Sequence, residues 1–126
     1  MNNSHWEGPR MERAFELIVA IVNRGFSDLV MDAARKAGAS GGTILHGRGT
    51  GVHEAAQFFG VAIQPEKELV LILTRAGERR AIMAAIAEGA QLDRQGRGLI
   101  FSLPVDEVAG IVHLLDENSA SPERRP

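Results

Sequence analysis

The sequence predicts an α+β fold in which four strands and two main helices follow one another in the order βαββαβ. Aliphatic runs typical of strands alternate along the chain with two segments whose apolar residues recur at helical spacing. The 126 residues are enough for one domain with a substantial buried interior. Two right-handed crossovers joined by one β–β connection give a ferredoxin-like sandwich, with both helices on one face of a four-stranded antiparallel sheet.

The first half of this pattern begins with an almost continuous apolar run, Phe15–Val22, which predicts the first strand. Ser27 is suited to cap a helix over Asp28–Ala37, and Gly38 follows as a typical helix terminator. The segment Thr43–His46 predicts a short second strand.

The second half begins with Leu69–Thr74, a strongly aliphatic third strand. Glu78–Glu88 predicts the second helix, and Gly98–Leu103 predicts the fourth strand. Pro104 is suited to the first turn of a further short helix, because that turn does not need the N–H that proline lacks. The apolar anchors of this short helix would be Val105, Val108 and Ile111.

Both ends of the chain are polar and lack an apolar period. Residues 1–13 are therefore predicted to form a disordered arm and residues 114–126 a polar tail, on either side of one domain over residues 14–113. Met11 is an alternative start residue within the arm.

Composition excludes several classes of function. There is no cysteine, which excludes a disulfide scaffold, a thiolate zinc site and a cysteine nucleophile. A formal charge of −2 gives no electrostatic reason to expect nucleic acid as a partner. No apolar run reaches the roughly 18 residues that a membrane-spanning helix needs, and the polar start has no signal-peptide core. We expect a cytoplasmic protein that is not embedded in a membrane.

The first and third predicted strands are apolar on both faces. In the third strand, Leu69, Leu71 and Leu73 alternate with Val70 and Ile72. A monomer with helices on only one face of the sheet would show polar residues on the other face. The open face is therefore expected to be buried between subunits; the alternative is that the chain ends or the last helix cover it.

Roughly twenty residues separate the second and third strands, far more than a hairpin needs. They begin with Gly47-Arg48-Gly49-Thr50-Gly51, here called the first glycine loop. Alternate glycines allow backbone N–H groups to converge on an anion, while Arg48 and Thr50 add further donors. The loop is neither a Walker A loop nor a dinucleotide fingerprint. The pattern indicates an anion site, although it also occurs in ordinary loops.

The middle of this connection, residues 52–59, has helical composition and ends in adjacent phenylalanines. Two neighbouring phenylalanines either pack on another subunit or dock on a target protein. The candidate partner-binding residues of this segment are His53, Glu54, Gln57, Phe58 and Phe59.

A second glycine-rich segment, Gly89–Gly98, precedes the fourth strand and is called here the second glycine loop. Its candidate ligand-binding residues are Arg94, Gly96, Arg97 and Gly98. Arginines among glycines suit a phosphate or a carboxylate, through bidentate contacts and backbone N–H groups. The alternative is a solvated turn.

Three motifs in this order resemble the PII signal-transduction family, specifically its PII-like branch of nitrogen regulators. They are Gly41-Gly42-Thr43-Ile44-Leu45-His46-Gly47-Arg48-Gly49-Thr50-Gly51, Pro65-Glu66-Lys67-Glu68, and Gly96-x-Gly98-x-Ile-Phe. The resemblance covers about Phe15 to Val112.

The resemblance implies a homotrimer whose sheets face inward, with a T-loop at about Gly47–Glu66 and a B-loop at about Gly89–Gly98. Family members bind adenine nucleotides (ATP, ADP or AMP) in clefts between subunits. The bound effector rearranges the T-loop, which controls a partner such as a transporter or a metabolic enzyme. By this resemblance Gly47 and Gly49 lie at the T-loop base, and Gly96 and Gly98 lie in the B-loop.

The chain also departs from the family pattern. Leu99 stands where members carry a phosphate-binding lysine, and Gly110 and Val112 align with two arginines of nucleotide-binding members. Charge-assisted contacts contribute about 1.5–3 kcal/mol each, so ATP binding through the usual residues should be weakened by several orders of magnitude. The T-loop is shorter, and the chain has no tyrosine that could be uridylylated. Another nucleotide or small anion is an equal alternative.

No catalytic residue and no metal ligand is assigned, and the chain is predicted not to be an enzyme. Scattered histidines such as His46 and His53, the latter beside Glu54, could form a metal site, especially across a trimer, but isolated histidines are more often ordinary surface residues. The alternatives to an effector-binding regulator are a constitutive trimeric protein-binding module, a metal-binding trimer and a small enzyme with active sites between subunits.

Overall fold

The computed structural model describes residues 10–50, 56–58 and 61–110. The elements in chain order are β1 (Arg10–Asn23), α1 (Ser27–Lys36), β2 (Thr43–Arg48), β3 (Ala56–Phe58), β4 (Val61–Ile63), β5 (Glu66–Arg75), a 3-10 turn (Ala76–Glu78), α2 (Arg79–Gly89) and β6 (Gly98–Ala109).

The main sheet has the strand order β2-β5-β1-β6, and every neighbouring pair is antiparallel. With α1 and α2 placed between β1 and β2 and between β5 and β6, this is the predicted ferredoxin-like βαββαβ arrangement. The prediction of the fold class is confirmed. The strands β3 and β4 form a separate antiparallel hairpin within the long connection.

The core lies between the sheet and the two helices. Alternate residues of β1 and β5 face α1 and α2, as expected for a sheet covered on one face. The buried residues of this core are Ile18, Ala20, Val22, Val30, Ala34, Ala39, Val70, Ile72, Ile82, Ile86 and Ala90.

The opposite face of the sheet, called here the open face, is also apolar. Register places Leu17 beside Leu73 and Leu103, and Val19 beside Leu71 and Phe101. In β6 the side chains of Leu99, Phe101 and Leu103 are 51%, 39% and 48% exposed. The prediction of two apolar faces is therefore confirmed for this sheet.

The predicted helix from Pro104 is wrong, because β6 continues as a strand to Ala109. Pro104 pairs with Glu16, Val105 with Phe15, and Val108 with Met11. Proline is tolerated here since β6 is an edge strand of the sheet. Ile111 lies outside the described residues.

The last residues of the predicted N-terminal arm, 10–13, belong to β1, so the prediction of disorder is wrong there. The physical reason is the same pairing: Arg10 lies opposite Ala109, with a bulge between Glu12 and Phe15. Residues 1–9 and the predicted tail 114–126 lie outside the described residues.

Two local predictions are also corrected. Ala56–Phe58 forms a strand paired with Val61–Ile63, where helical composition was noted. Ser27 is the first residue of α1 and not its N-cap, which is Phe26. Neither α-helix in the described ranges is long and apolar enough to span a membrane.

Candidate functional site

The two glycine loops lie at the same end of the sheet but on opposite edges. Gly47 of β2 pairs with Lys67 of β5, Lys67 pairs with Asn23 of β1, and the preceding Val22 pairs with Gly98 of β6. Neighbouring strands lie about 4.8 Å apart, so three spacings separate the loops by about 14 Å. One phosphate or carboxylate group cannot contact both loops of the same chain.

The first glycine loop has an ordinary backbone where it is described. Neither Gly47 nor Gly49 has a positive φ, so the left-handed residue of an anion-cradling nest is not found at these two positions. A Cβ on Gly49 would meet no heavy atom within 4 Å, and one on Gly47 would lie 3.7 Å from Leu69 Cδ1. The fold itself does not require glycine here.

The other predicted residues of the long connection are only partly placed. Arg48 and Thr50 are exposed beside Gly49, whose N–H donates to the Pro65 carbonyl at 3.2 Å. Gln57 and Phe58 belong to β3. The remaining predicted residues, Gly51, His53, Glu54 and Phe59, lie outside the described part of the chain.

The second glycine loop, in contrast, depends on glycine backbone. Gly96 has φ +78° and Gly98 has φ +131°, a region that other residues rarely adopt. A Cβ on Gly98 would lie 2.3 Å from the Ile21 carbonyl oxygen. The loop therefore passes against β1 at a distance that only glycine allows.

The two arginines of the second glycine loop are used differently. The Arg97 guanidinium lies 4.6 Å from the centroid of the Phe26 ring, and it donates a hydrogen bond to Gln91 Oε1 at 2.8 Å. Arg97 Nε is buried without a hydrogen-bond partner among the described residues. Arg94 is exposed. Arg94 is therefore the more available of the two for an incoming anion, because Arg97 already packs on Phe26 and donates to Gln91.

Arg94 and Gly98 line an open groove of about 850 Å³ between the end of α2 and the start of β6. The other lining residues are Ala84, Ala87, Glu88, Gln91, Leu92, Asp93, Leu99 and Ile100. Its floor is largely apolar, and Glu88 and Asp93 offset the charge of Arg94. In a single chain, the charges that line this groove therefore do not favour the binding of an anion.

Sequence reasoning assigned no site role to three residues between the loops, Asn23, Lys67 and Glu68, although the last two belong to the Pro65-Glu66-Lys67-Glu68 motif. Lys67 and Glu68 are only 9% and 7% exposed, although they open an aliphatic strand. Lys67 Nζ donates to Asn23 Oδ1 at 2.6 Å, and Asn23 Nδ2 donates to the Gly96 carbonyl at 2.8 Å. The signal available in the sequence was the pair of adjacent charged residues beside the strand that contains Leu69. If that strand is central in the sheet, both charges need polar partners.

The Glu68 carboxylate holds the start of α1. Its Oε1 accepts a hydrogen bond from the Ser27 N–H at 3.1 Å, and its Oε2 lies 3.9 Å from His46 Nδ1. The Ser27 hydroxyl is the largest influence that lowers the pKa of Glu68; burial opposes it, and the backbone N–H groups of Ser27 and Gly25 and the nearby His46 lower the pKa further. These contacts favour the ionised form of Glu68 at neutral pH.

The described ranges contain no cluster of three or more histidine, aspartate or glutamate side chains that could hold a metal ion. His46 instead lies next to Glu68. His53 and Glu54, the other residues considered for a metal across subunits, fall in the gap between residues 50 and 56.

Comparison with known proteins gives matches to a family model and to solved structures. The family model for nitrogen regulatory protein P-II matches residues 15–113. The crystal structure of Arabidopsis thaliana PII bound to citrate is similar with a TM-score of 0.63 and 28% sequence identity, over 80% of this chain and 86% of that chain. No curated protein sequence matches the chain.

Proposed function

The chain belongs to the nitrogen regulatory protein P-II family, a family of signal-transduction regulators, and we propose that it is a homotrimer that binds a small anionic effector between its subunits. The observation that carries this proposal is the position of the two glycine loops. They lie at one end of the sheet, on opposite edges about 14 Å apart. A single phosphate or carboxylate group that contacts both loops would take one loop from each of two neighbouring subunits.

The open face supports the assembly. Aliphatic and aromatic side chains extend across all four strands of this face, and those of Leu45, Leu99 and Leu103 are 46%, 51% and 48% exposed in the isolated chain. Exposed apolar patches of this kind mark interaction surfaces. Three sheets facing inward would bury them and bring the edges of neighbouring sheets together.

The proposed effector site combines residues from two subunits. One subunit supplies Gly47, Arg48, Gly49, Thr50 and Gly51, and its neighbour supplies Arg94, Gly96, Arg97 and Gly98. Arg48 and Arg94 are exposed and supply charge to the cleft. Leu99 supplies no charge, so the anion would be bound by these arginines together with the backbone N–H groups of both loops.

The proposed effector is an adenine nucleotide (ATP, ADP or AMP) or a small carboxylate. The apolar floor of the groove beside Leu99 suits a base, and the arginines suit a phosphate or a carboxylate. That the similar Arabidopsis protein is bound to citrate supports including carboxylates. Binding would select a conformation of the T-loop, residues 47–66, that a transporter or enzyme partner in the cytoplasm recognises, by differential affinity for the conformations of this loop.

Thermal-shift measurements on the full chain with ATP, ADP, AMP and citrate test the proposal, because a ligand of the folded state raises the melting temperature. At least one of the four should do so. Arg94→Ala should then weaken that ligand by about 10- to 100-fold in calorimetry, as expected for one charge-assisted contact.

Arg35→Ala is the matched control. It removes an exposed arginine that pairs with Asp32 at 2.6 Å on α1 and should leave affinity unchanged. A trimer that none of the four ligands stabilises would overturn effector binding and favour a constitutive protein-binding module. A sedimentation mass of one chain would overturn the intersubunit site.

A further inference from the structure

Residues 23–27, which include the turn between β1 and α1, contact the start of β5 on one side and the second glycine loop on the other. The start of β5 pairs with Gly47 and Arg48 of the first glycine loop. We propose that this turn couples the end of the T-loop to the second glycine loop within each chain, with Asn23 as the positioning residue. The inference rests on the proposed function for its biological meaning, since it concerns how the two loops of the effector site communicate. Its structural basis lies entirely within the described residues.

On one side, the turn is bound to the first residues of β5, where the T-loop ends. The Arg24 N–H donates to the Glu66 carbonyl at 3.2 Å, and the Arg24 guanidinium donates to Glu66 Oε1 at 2.9 Å. The Ser27 N–H donates to Glu68 Oε1 at 3.1 Å. Lys67, between the two glutamates, donates to Asn23 Oδ1 at 2.6 Å. Three consecutive residues of β5 thus contact the turn.

On the other side, the turn is bound to the second glycine loop. Asn23 Nδ2 donates to the Gly96 carbonyl at 2.8 Å, and the Phe26 ring lies 4.6 Å beneath the Arg97 guanidinium. Gly96 and Arg97 are both proposed effector ligands. The turn is therefore the element that joins β5 to these residues.

Asn23 is the point at which the two sets of contacts meet. A planar amide carries an acceptor and a donor in fixed relation, and here the acceptor faces Lys67 and the donor faces Gly96. Lys67 is 9% exposed, so its ammonium group needs the Asn23 oxygen more than a solvated lysine would. A shift of residues 66–68 that draws Lys67 away rotates the amide and moves its donor from Gly96.

Hydrogen–deuterium exchange of the ligand-free full chain tests the coupling. Lys67→Met removes the donor to Asn23 Oδ1 and keeps an apolar stem of similar length. We expect amide exchange across residues 91–98 to rise about fivefold, the factor that about 1 kcal/mol of lost hydrogen bonding corresponds to. Lys67→Arg keeps a donor and should restore most of the protection.

Asn23→Asp provides a second, independent test that does not alter the lysine. A carboxylate still accepts from Lys67 but cannot donate to Gly96. Exchange across residues 91–98 should rise while exchange across residues 66–69 stays at the level of the unmodified chain. Arg35→Ala, which breaks an exposed contact within α1, is the control and should leave both segments unchanged.

Unchanged exchange in residues 91–98 of both Lys67→Met and Asn23→Asp would overturn the coupling. If Lys67→Met does not melt cooperatively, Asn23→Asp alone decides by the same criterion. Since no ligand is present, the result is separate from the thermal-shift experiment with nucleotides and citrate. Failure of that experiment would overturn effector binding and leave the exchange result standing.

Discussion

Gly49 and Gly98 lie at the same end of the sheet, and they differ in what surrounds the position that a Cβ would occupy. At Gly49 the space is open to beyond 4 Å, whereas at Gly98 a Cβ would lie 2.3 Å from the Ile21 carbonyl oxygen. Gly98 and its neighbour Gly96 also have positive φ, which Gly49 does not. The fold alone explains Gly96 and Gly98 of the second loop, and it does not explain Gly47 and Gly49 of the first.

The arginines of the two loops show a related difference. Arg97 packs on Phe26 and bonds to Gln91, so it stabilises the loop that carries it. Arg48 extends from the end of β2 into solvent. The second loop is thus held by contacts within its own chain, whereas Arg48 of the first loop is exposed.

The two loops should differ most in how a glycine-to-alanine substitution changes the stability of the protein, and the largest expected effect is that of Gly98→Ala. Strain at φ +131° and the contact with Ile21 should together lower the free energy of unfolding by about 2–5 kcal/mol, or prevent folding. Gly49→Ala is the matched variant and should change the free energy of unfolding by less than about 0.5 kcal/mol. The same variant should reduce the affinity for the effector. Denaturant unfolding measures the stability of both variants. Equal stability of the two variants would contradict the comparison.

A second, smaller effect is expected where the second loop begins. A Cβ on Gly89 would lie 2.8 Å from Ala33 Cβ, so Gly89→Ala should force α1 and α2 apart and cost about 1–3 kcal/mol. Ala33→Gly should partly rescue it, and the double variant should lose less than the sum of the single losses. Additive losses in denaturant unfolding would show that the helices do not meet tightly at this pair.

The elements of the main sheet could be predicted because their signals are local. The apolar runs around Phe15–Val22 and Leu69–Thr74 are strands in the structure, and the helical periods following Ser27 and Glu78 are helices. Pro104 shows the limit of local signals. Proline and the acidic residues after it favour the start of a helix. The segment is nevertheless a strand, because it pairs with β1, which lies about ninety residues earlier in the chain.

The candidate site could be predicted as two loops but not as one connected arrangement. Asn23 and Gly96 are separated by 73 residues, and Lys67 and Asn23 by 44, so their hydrogen bonds depend on strand order and register. Arg97 was expected to face a ligand, and its contact with Phe26 likewise depends on how the second loop folds back on the turn. Composition identifies residues that can bind an anion, whereas packing determines which of them are already engaged.

The third effect concerns the arginines of the second loop. Arg97→Ala removes the Phe26 contact and the Gln91 hydrogen bond and should lower the free energy of unfolding by about 1–2 kcal/mol. Arg94→Ala, an exposed neighbour, should change it by less than about 0.5 kcal/mol. Thermal unfolding of the two variants checks this. Equal losses of stability in the two variants would show that Arg97 does not anchor its loop. Arg97 would then be as available to a ligand as Arg94.

The smallest expected effect concerns the start of β5, which pairs with the end of β2 beside the first glycine loop. The prediction tests whether the charge of Glu68 stabilises this part of the sheet. Glu68 is bound to Ser27, and its pKa is lowered in the folded chain, so its ionised form stabilises the fold at neutral pH. That contribution is lost as the pH falls through the lowered value. We expect the melting temperature of the unmodified chain to fall more steeply from about pH 5 to about pH 3 than that of Glu68→Gln.

Glu68→Gln keeps the shape and an acceptor oxygen, so at pH 7 it should cost only about 0.5–1 kcal/mol. Glu66→Gln is the control, because Glu66 is exposed and its partner is the exposed Arg24; its profile should follow that of the unmodified chain. Parallel profiles for Glu68→Gln and the unmodified chain would mean that the Glu68–Ser27 contact does not depend on charge. The end of the T-loop would then be held by the backbone pairing between β2 and β5 and by the contacts of Glu66 and Lys67 with Arg24 and Asn23, without a contribution from the charge of Glu68.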